Sequence, residues 1–73
     1  MKRLSDISIG VNGTIQKLER HALEPALNEL GLVKGVSVKL IRKDISGSTY
    51  YVKYNNQQLA IRRSEAELIW VEE

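Results

Sequence analysis

Apolar and polar positions alternate in short runs along most of this chain, which is the period of β-strands. Val36, Val38 and Leu40 interleave with Ser37, Lys39 and Ile41, and Gly35 just before them marks a turn into the run. Tyr50, Val52 and Tyr54 interleave with Tyr51 and Lys53, β-favouring residues throughout. Successive strand side chains point to opposite faces, so each run predicts a strand with one buried face. Asn55-Asn56 follows, and asparagine tolerates positive φ, so the pair predicts a hairpin with Leu59 and Ile61 in its return arm. Ile69 and Val71, either side of Trp70, predict a closing strand. Near the start, Leu4, Ile7 and Ile9 lead into Gly10 and Gly13, candidate turn or bulge positions. Val11, Ile15 and Leu18 then fit a strand whose alternation breaks between Ile15 and Leu18, which predicts one irregularity there.

One segment has helical spacing instead. Leu23, Leu27 and Leu30 recur at i, i+4 and i+7 with Ala26 beside them, and Pro25 sits near the start, where a missing N–H costs little. Gly31 predicts a left-handed stop, with Leu32 folding back on the stripe. Two turns of helix do not hold alone in water, so this one must dock on the strands. The loop Asp44, Ser46, Gly47, Ser48 joins two strands, and Ser64-x-x-Glu67 matches a capping box that would start a single helical turn before the last strand. The order is strand, short helix, three-strand meander, helical turn, strand. About five short strands in 73 residues are too few for two packed sheets. The predicted fold is mainly β, one domain over residues 1–73: a small SH3-like barrel of about five strands with one short α-helix after the first strand. A ubiquitin-like roll is the competitor, but its helix follows a first hairpin and runs longer.

Composition narrows the chemistry. There is no cysteine, hence no disulfide or thiolate metal site. No apolar run approaches the roughly 20 residues that span a bilayer. Asp6 and Ser8 interrupt what would be a signal-peptide core, so the expectation is a cytoplasmic protein starting at its own Met1. His21 is the only imidazole; with Glu24 it could touch a surface cation, but no third ligand stands at recognisable spacing. The glycines are scattered and form no phosphate-binding motif. No catalytic, cofactor or metal site is expected. A chain of this kind acts by binding.

Charge is unevenly spread. Residues 32–63 hold seven basic side chains against Asp44 alone, a net of +6, whereas residues 64–73 carry four glutamates and no base. The favoured expectation is that the acidic tail lies beside the basic strands and neutralises them. The pairs Arg42-Lys43 and Arg62-Arg63 each expose at least one cation, either as a binding patch or as solubilising charge. Tyr50 and Tyr54 share a face with Val52 and read as core; Tyr51 and Trp70 are the aromatic candidates for exposure. A small basic barrel that binds nucleic acid is an alternative. The total charge of only +2 and the few exposed aromatics count against it.

With these elements in place, the chain resembles a known family. Leu27-x-Glu29-Leu30-Gly31-Leu32-x-x-Gly35-x-x-Val38-x-Leu40-Ile41 is similar to the central signature of the FeoA family, small accessory proteins of bacterial ferrous-iron uptake. Leu4-Ser5-Asp6-Ile7-x-x-Gly10-x-x-Gly13-x-Ile15 resembles that family's opening, and Leu59-Ala60-Ile61-Arg62-x-x-Glu65-Ala66-x-x-Ile69-x-Val71 its close. The chain departs from it with Ala26 for Arg before the helix leucine, Lys34 for Pro, Thr49 for Pro and Asn56 for a hairpin Gly. The resemblance implies an SH3-like fold and a role beside FeoB, the membrane transporter with a cytoplasmic GTP-hydrolysing domain. It also relates the chain to the SH3-like domain of some metal-dependent repressors. The partner contact is expected at Glu24, Asn28 and Lys34 on the helix and its flanking loop, and at Arg42, Lys43, Arg62 and Arg63 on the basic strands.

Overall fold

A computed structural model describes residues 1–19, 29 and 31–73. Along the chain it places β1 (Lys2–Arg3), a 3-10 turn (Leu4–Asp6), β2 (Asn12–Leu18), β3 (Ser37–Lys43), β4 (Thr49–Tyr54) and β5 (Gln57–Arg62). A single helical turn (Arg63–Ala66) and β6 (Ile69–Glu72) complete the order. The six strands form one sheet in the order β1-β6-β2-β3-β4-β5, with every neighbouring pair antiparallel. The unexpected sixth strand is β1, two charged residues paired as Lys2↔Val71 and Arg3↔Trp70. It is too short and too polar to show any alternation.

The buried side chains follow the alternation closely. Ile15, Val38, Leu40, Tyr50, Val52, Tyr54, Ile61, Ile69 and Val71 face inward, and Leu4, Ile7, Leu32 and Ala66 enter from the connections. All thirteen form one cluster. In a flat sheet of this order β5 and β6, four strand spacings apart, would stand about 19 Å from each other. Residues of β5 and β6 share one core only because the sheet rolls around it, within overall dimensions of 28 × 23 × 22 Å.

Two irregularities bend this sheet. The register of β2 on β6 shifts between Ile15 and Lys17, where the broken alternation predicted it. The second shift, between Leu40 and Arg42 on β4, has no such signature. Ile41 becomes the extra residue, so Arg42 lies opposite Tyr51 rather than Tyr50. That moves a guanidinium from the inner face to the outer one. At Gly13, a Cβ would stand 2.9 Å from both Cβ and Cγ2 of Val71, so only glycine lets β2 and β6 pack this closely.

The hairpin turn is as expected, with Asn55 and Asn56 at φ 48° and 62°. Glu29 is helical, Gly31 takes φ +86° and Leu32 is fully buried. The leucine stripe Leu23, Leu27 and Leu30, with Pro25 and Ala26, lies outside the described residues, as do His21, Glu24 and Asn28. The expected capping box at Ser64 and Glu67 is displaced. Arg62, the last residue of β5, is the extended cap residue, and its N–H donates to Glu65 Oε1 at 2.7 Å. Glu65 is three residues beyond the true cap, which is the distance a capping carboxylate must bridge. Ser64 therefore lies within the turn, and Glu67 instead stands 3.8 Å from Arg63 Nε.

Candidate functional site

The hairpin β3–β4 and its return arm β5 gather the basic pairs that lie twenty residues apart in sequence. Lys43 is opposite Tyr50, Arg42 opposite Tyr51, and Thr49 opposite Arg62. Arg42, Lys43, Arg62 and Arg63 are all exposed at this end of the meander. The Arg42 guanidinium lies 3.9 Å from the centre of the Tyr51 ring and the Lys43 ammonium 5.0 Å from that of Tyr50. Each such contact is worth about 0.5–1 kcal/mol at an exposed site and leaves the cation oriented but not neutralised. An open cleft of about 510 Å³ is lined by Ser46–Thr49 and Arg62–Ser64, whose backbones meet where the Arg63 N–H donates to Ser48 O at 2.9 Å.

The loop between β3 and β4 is tied by its own acid. Asp44 Oδ1 accepts the backbone N–H groups of Ser48 (2.8 Å) and Thr49 (3.2 Å), and Oδ2 accepts the hydroxyls of Ser46 (3.0 Å) and Ser48 (3.1 Å). The Thr49 N–H, above all, holds the Asp44 carboxyl below the usual carboxylate range; slight desolvation opposes it, and the Ser46 and Ser48 donors add to the lowering. This carboxylate is engaged by its own turn. At the tip, Ile45 is fully exposed, at 109%. Nothing in the periodic pattern marks Ile45; its only signal is a lone apolar residue inside the polar run Asp44–Thr49.

Farther along the outer face, Lys39 and Lys53 are direct cross-strand partners, a like-charge arrangement that destabilises a sheet. Lys34 sits at the opposite end of β3 from Lys43, about 20 Å away at the usual rise per residue, so it does not join the basic cluster. Glu24 and Asn28 lie outside the described residues.

The tail strand does not neutralise this region, contrary to the sequence-based expectation; of the tail's four glutamates, Glu65 and Glu67 reach it, at the Arg62 N–H and at Arg63. β6 lies between β1 and β2, so its acids meet the amino terminus: Glu72 is 3.4 Å from the Met1 amine and Glu73 is 3.7 Å from Lys2. Of the four expected cations on the basic strands, only Arg63 makes a side-chain ion pair among the described residues, with Glu67. Trp70 is likewise used within the fold. Its indole N–H donates to Glu19 at 2.9 Å, Arg3 and Lys17 lie 5.0 and 5.9 Å from its ring, and Arg3 is 3.7 Å from Glu19. Tyr51, half-buried beneath Arg42, is the aromatic that belongs to the basic end.

Among the described residues no three His, Cys, Asp or Glu side chains stand close enough to hold a metal ion, and no polar or charged side chain is buried. No described helix is long and apolar enough to cross a membrane. The arrangement offers recognition: oriented cations beside a loop closed by its own hydrogen bonds.

The chain is similar to known proteins of one family. No curated protein sequence matches significantly. Among solved structures, the FeoA protein of Chlorobium tepidum is 34% identical, with a TM-score of 0.86 over 99% of this chain and 69% of its own. Iron(II) transport protein A of Clostridium thermocellum is 33% identical, with a TM-score of 0.88 over 99% of this chain and 44% of its own. The zinc complex of Stenotrophomonas maltophilia FeoA, described as a procaryotic SH3 domain protein, is 28% identical, with a TM-score of 0.81 over 94% of this chain and 87% of its own. The FeoA domain model matches residues 2–73, and the chain therefore belongs to the FeoA family, with its SH3-like fold.

Proposed function

We propose that this chain is a cytoplasmic accessory of ferrous-iron uptake that works by protein contact with the cytoplasmic region of the FeoB transporter, through the basic end of its β3–β4–β5 meander. Family membership supplies the link to ferrous-iron transport, and the Stenotrophomonas relative is described as a candidate activating factor of that transport. The observation that carries the reading is the cluster of Arg42, Lys43 and Arg62, exposed and with side chains that make no ion pair among the described residues. Charge left unmatched within a fold is available for a partner of opposite sign, which it steers and orients. The reading includes no chemistry on this chain; GTP hydrolysis belongs to the transporter.

Titration of the full chain against FeoB's cytoplasmic domain, with and without guanine nucleotide, tests it. Micromolar association that weakens with salt is expected, and its absence in both states at high micromolar concentration overturns the proposal. The same basic meander favours a second reading, nucleic-acid binding. Binding to RNA or DNA that is tighter than to FeoB and falls steeply with salt would select it.

A further inference from the structure

The β3–β4 tip presents a residue the fold does not need. Asp44 and the Ser46, Ser48 and Thr49 donors close the turn, and Gly47 supplies its left-handed residue at φ +76°. Ile45 contributes nothing to that network and buries nothing, although a β-branched apolar side chain is a poor choice for a turn. The other exposed large hydrophobics among the described residues, Met1, Ile9 and Val33, retain more cover, and none lies within this loop.

We infer that Ile45 is the apolar anchor of the partner contact, seated in an apolar socket on a partner protein whose rim carries carboxylates. The inference rests on the proposal that the chain acts by protein contact. Its form is that of a binding hot spot: one side chain that becomes fully desolvated, ringed by polar contacts that exclude water. Arg42 and Lys43 precede the knob on the strand that leads to it, and Arg62 and Arg63 line a cleft with Ser46–Thr49 of the same loop, open enough to take a carboxylate side chain from the rim. Asp44 keeps its negative charge, but four donors of its own loop hold its oxygens in the turn, and one carboxylate leaves the four cations in excess. The same bonds hold the turn in shape before binding, so little loop entropy remains to be lost on docking. A convex knob of this kind also does not suit a small molecule, which needs a concave site.

The test compares the full-length chain with Ile45→Ser, Ile45→Leu and Arg62→Glu, each titrated against FeoB's cytoplasmic domain at several salt concentrations. Ile45→Ser should weaken binding about tenfold or more, as expected for losing one buried aliphatic side chain, and leave the salt dependence unchanged. Ile45→Leu should retain most of the affinity. Arg62→Glu should weaken binding and flatten its salt dependence. Thermal melts should be nearly unchanged for all three, since these side chains pack against little. If the wild type binds and Ile45→Ser binds equally well, the anchor is refuted while the protein-contact proposal stands. If the wild type does not bind at all, the contact proposal fails first and takes the anchor with it. Vesicles of phosphatidylglycerol and phosphatidylcholine form the remaining arm. Binding to the anionic vesicles as tight as to the FeoB domain, with the same loss in Ile45→Ser, would assign the tip to lipid and overturn the socket.

Discussion

The two halves of the sheet treat their charges in opposite ways. On β1, β6 and β2 the charges find partners: the Met1 amine with Glu72, Lys2 with Glu73, Arg3 with Glu19, and Trp70 bonded to Glu19 beneath two cations. On β3, β4 and β5 Arg42 and Lys43 stack on tyrosines, Lys39 faces Lys53 and Arg62 lies opposite Thr49; just beyond, the Arg63 side chain alone pairs with an acid among the described residues. Exposed ion pairs add at most about 1 kcal/mol each, so the paired half gains little stability from its arrangement. The contrast matters more for recognition. Charge satisfied within the chain is silent to a partner, whereas the meander's charge is not.

The joint between the halves gives the largest expected effect. Gly13 on β2 pairs with Val38 of β3 while Val71 of β6 occupies the space above it. Gly13→Ala should destabilise by about 1–3 kcal/mol, the usual cost of overpacking, read as a lower denaturation midpoint with an unchanged m-value. Next is the paired half. Trp70→Phe removes the indole N–H and should cost about 1 kcal/mol in urea unfolding, while binding to the FeoB domain stays within twofold. Loss of binding instead would move the site to the wrong half.

Lys53→Glu sharpens the comparison further, because it should act in opposite directions on two measurements. Placed opposite Lys39, the glutamate should add roughly 0.2–1 kcal/mol of stability in place of repulsion. It should also weaken partner binding by reducing the basic field. The smallest effect is a pH dependence confined to the β3–β4 loop. The Asp44 pKa is lowered in the fold, so the stabilising contribution of its hydrogen bonds is fully present above the ordinary Asp value of 3.8. It is lost as pH falls through the lowered folded value. Hydrogen exchange read by mass spectrometry after acidification should show the Ser48 and Thr49 amides losing protection before those of β4, with the paired half unaffected.

Much of the fold was legible because strand parity is local. Val38 and Leu40, then Tyr50, Val52 and Tyr54, face the core as their spacing predicts, and the Asn55-Asn56 turn follows from two residues that accept positive φ. The candidate site was only partly legible. Arg42, Lys43, Arg62 and Arg63 could be named as exposed cations, but their gathering at one end depends on hairpin register. Lys34, named with them, falls at the far end of β3. Ile45 escaped because a single exposed apolar residue has no period.

The sequence by itself determined which face of each strand is buried and where the chain must turn, since both depend on a residue and its near neighbours. Tertiary structure alone decided which charges meet. β6 inserts between β1 and β2, so Glu72 and Glu73 are spent on the amino terminus rather than on the basic strands. The slip at Ile41 reverses the parity of Arg42 and turns it outward. Strand order and register are properties of a sheet closing around one shared core, and no local window of the chain contains them.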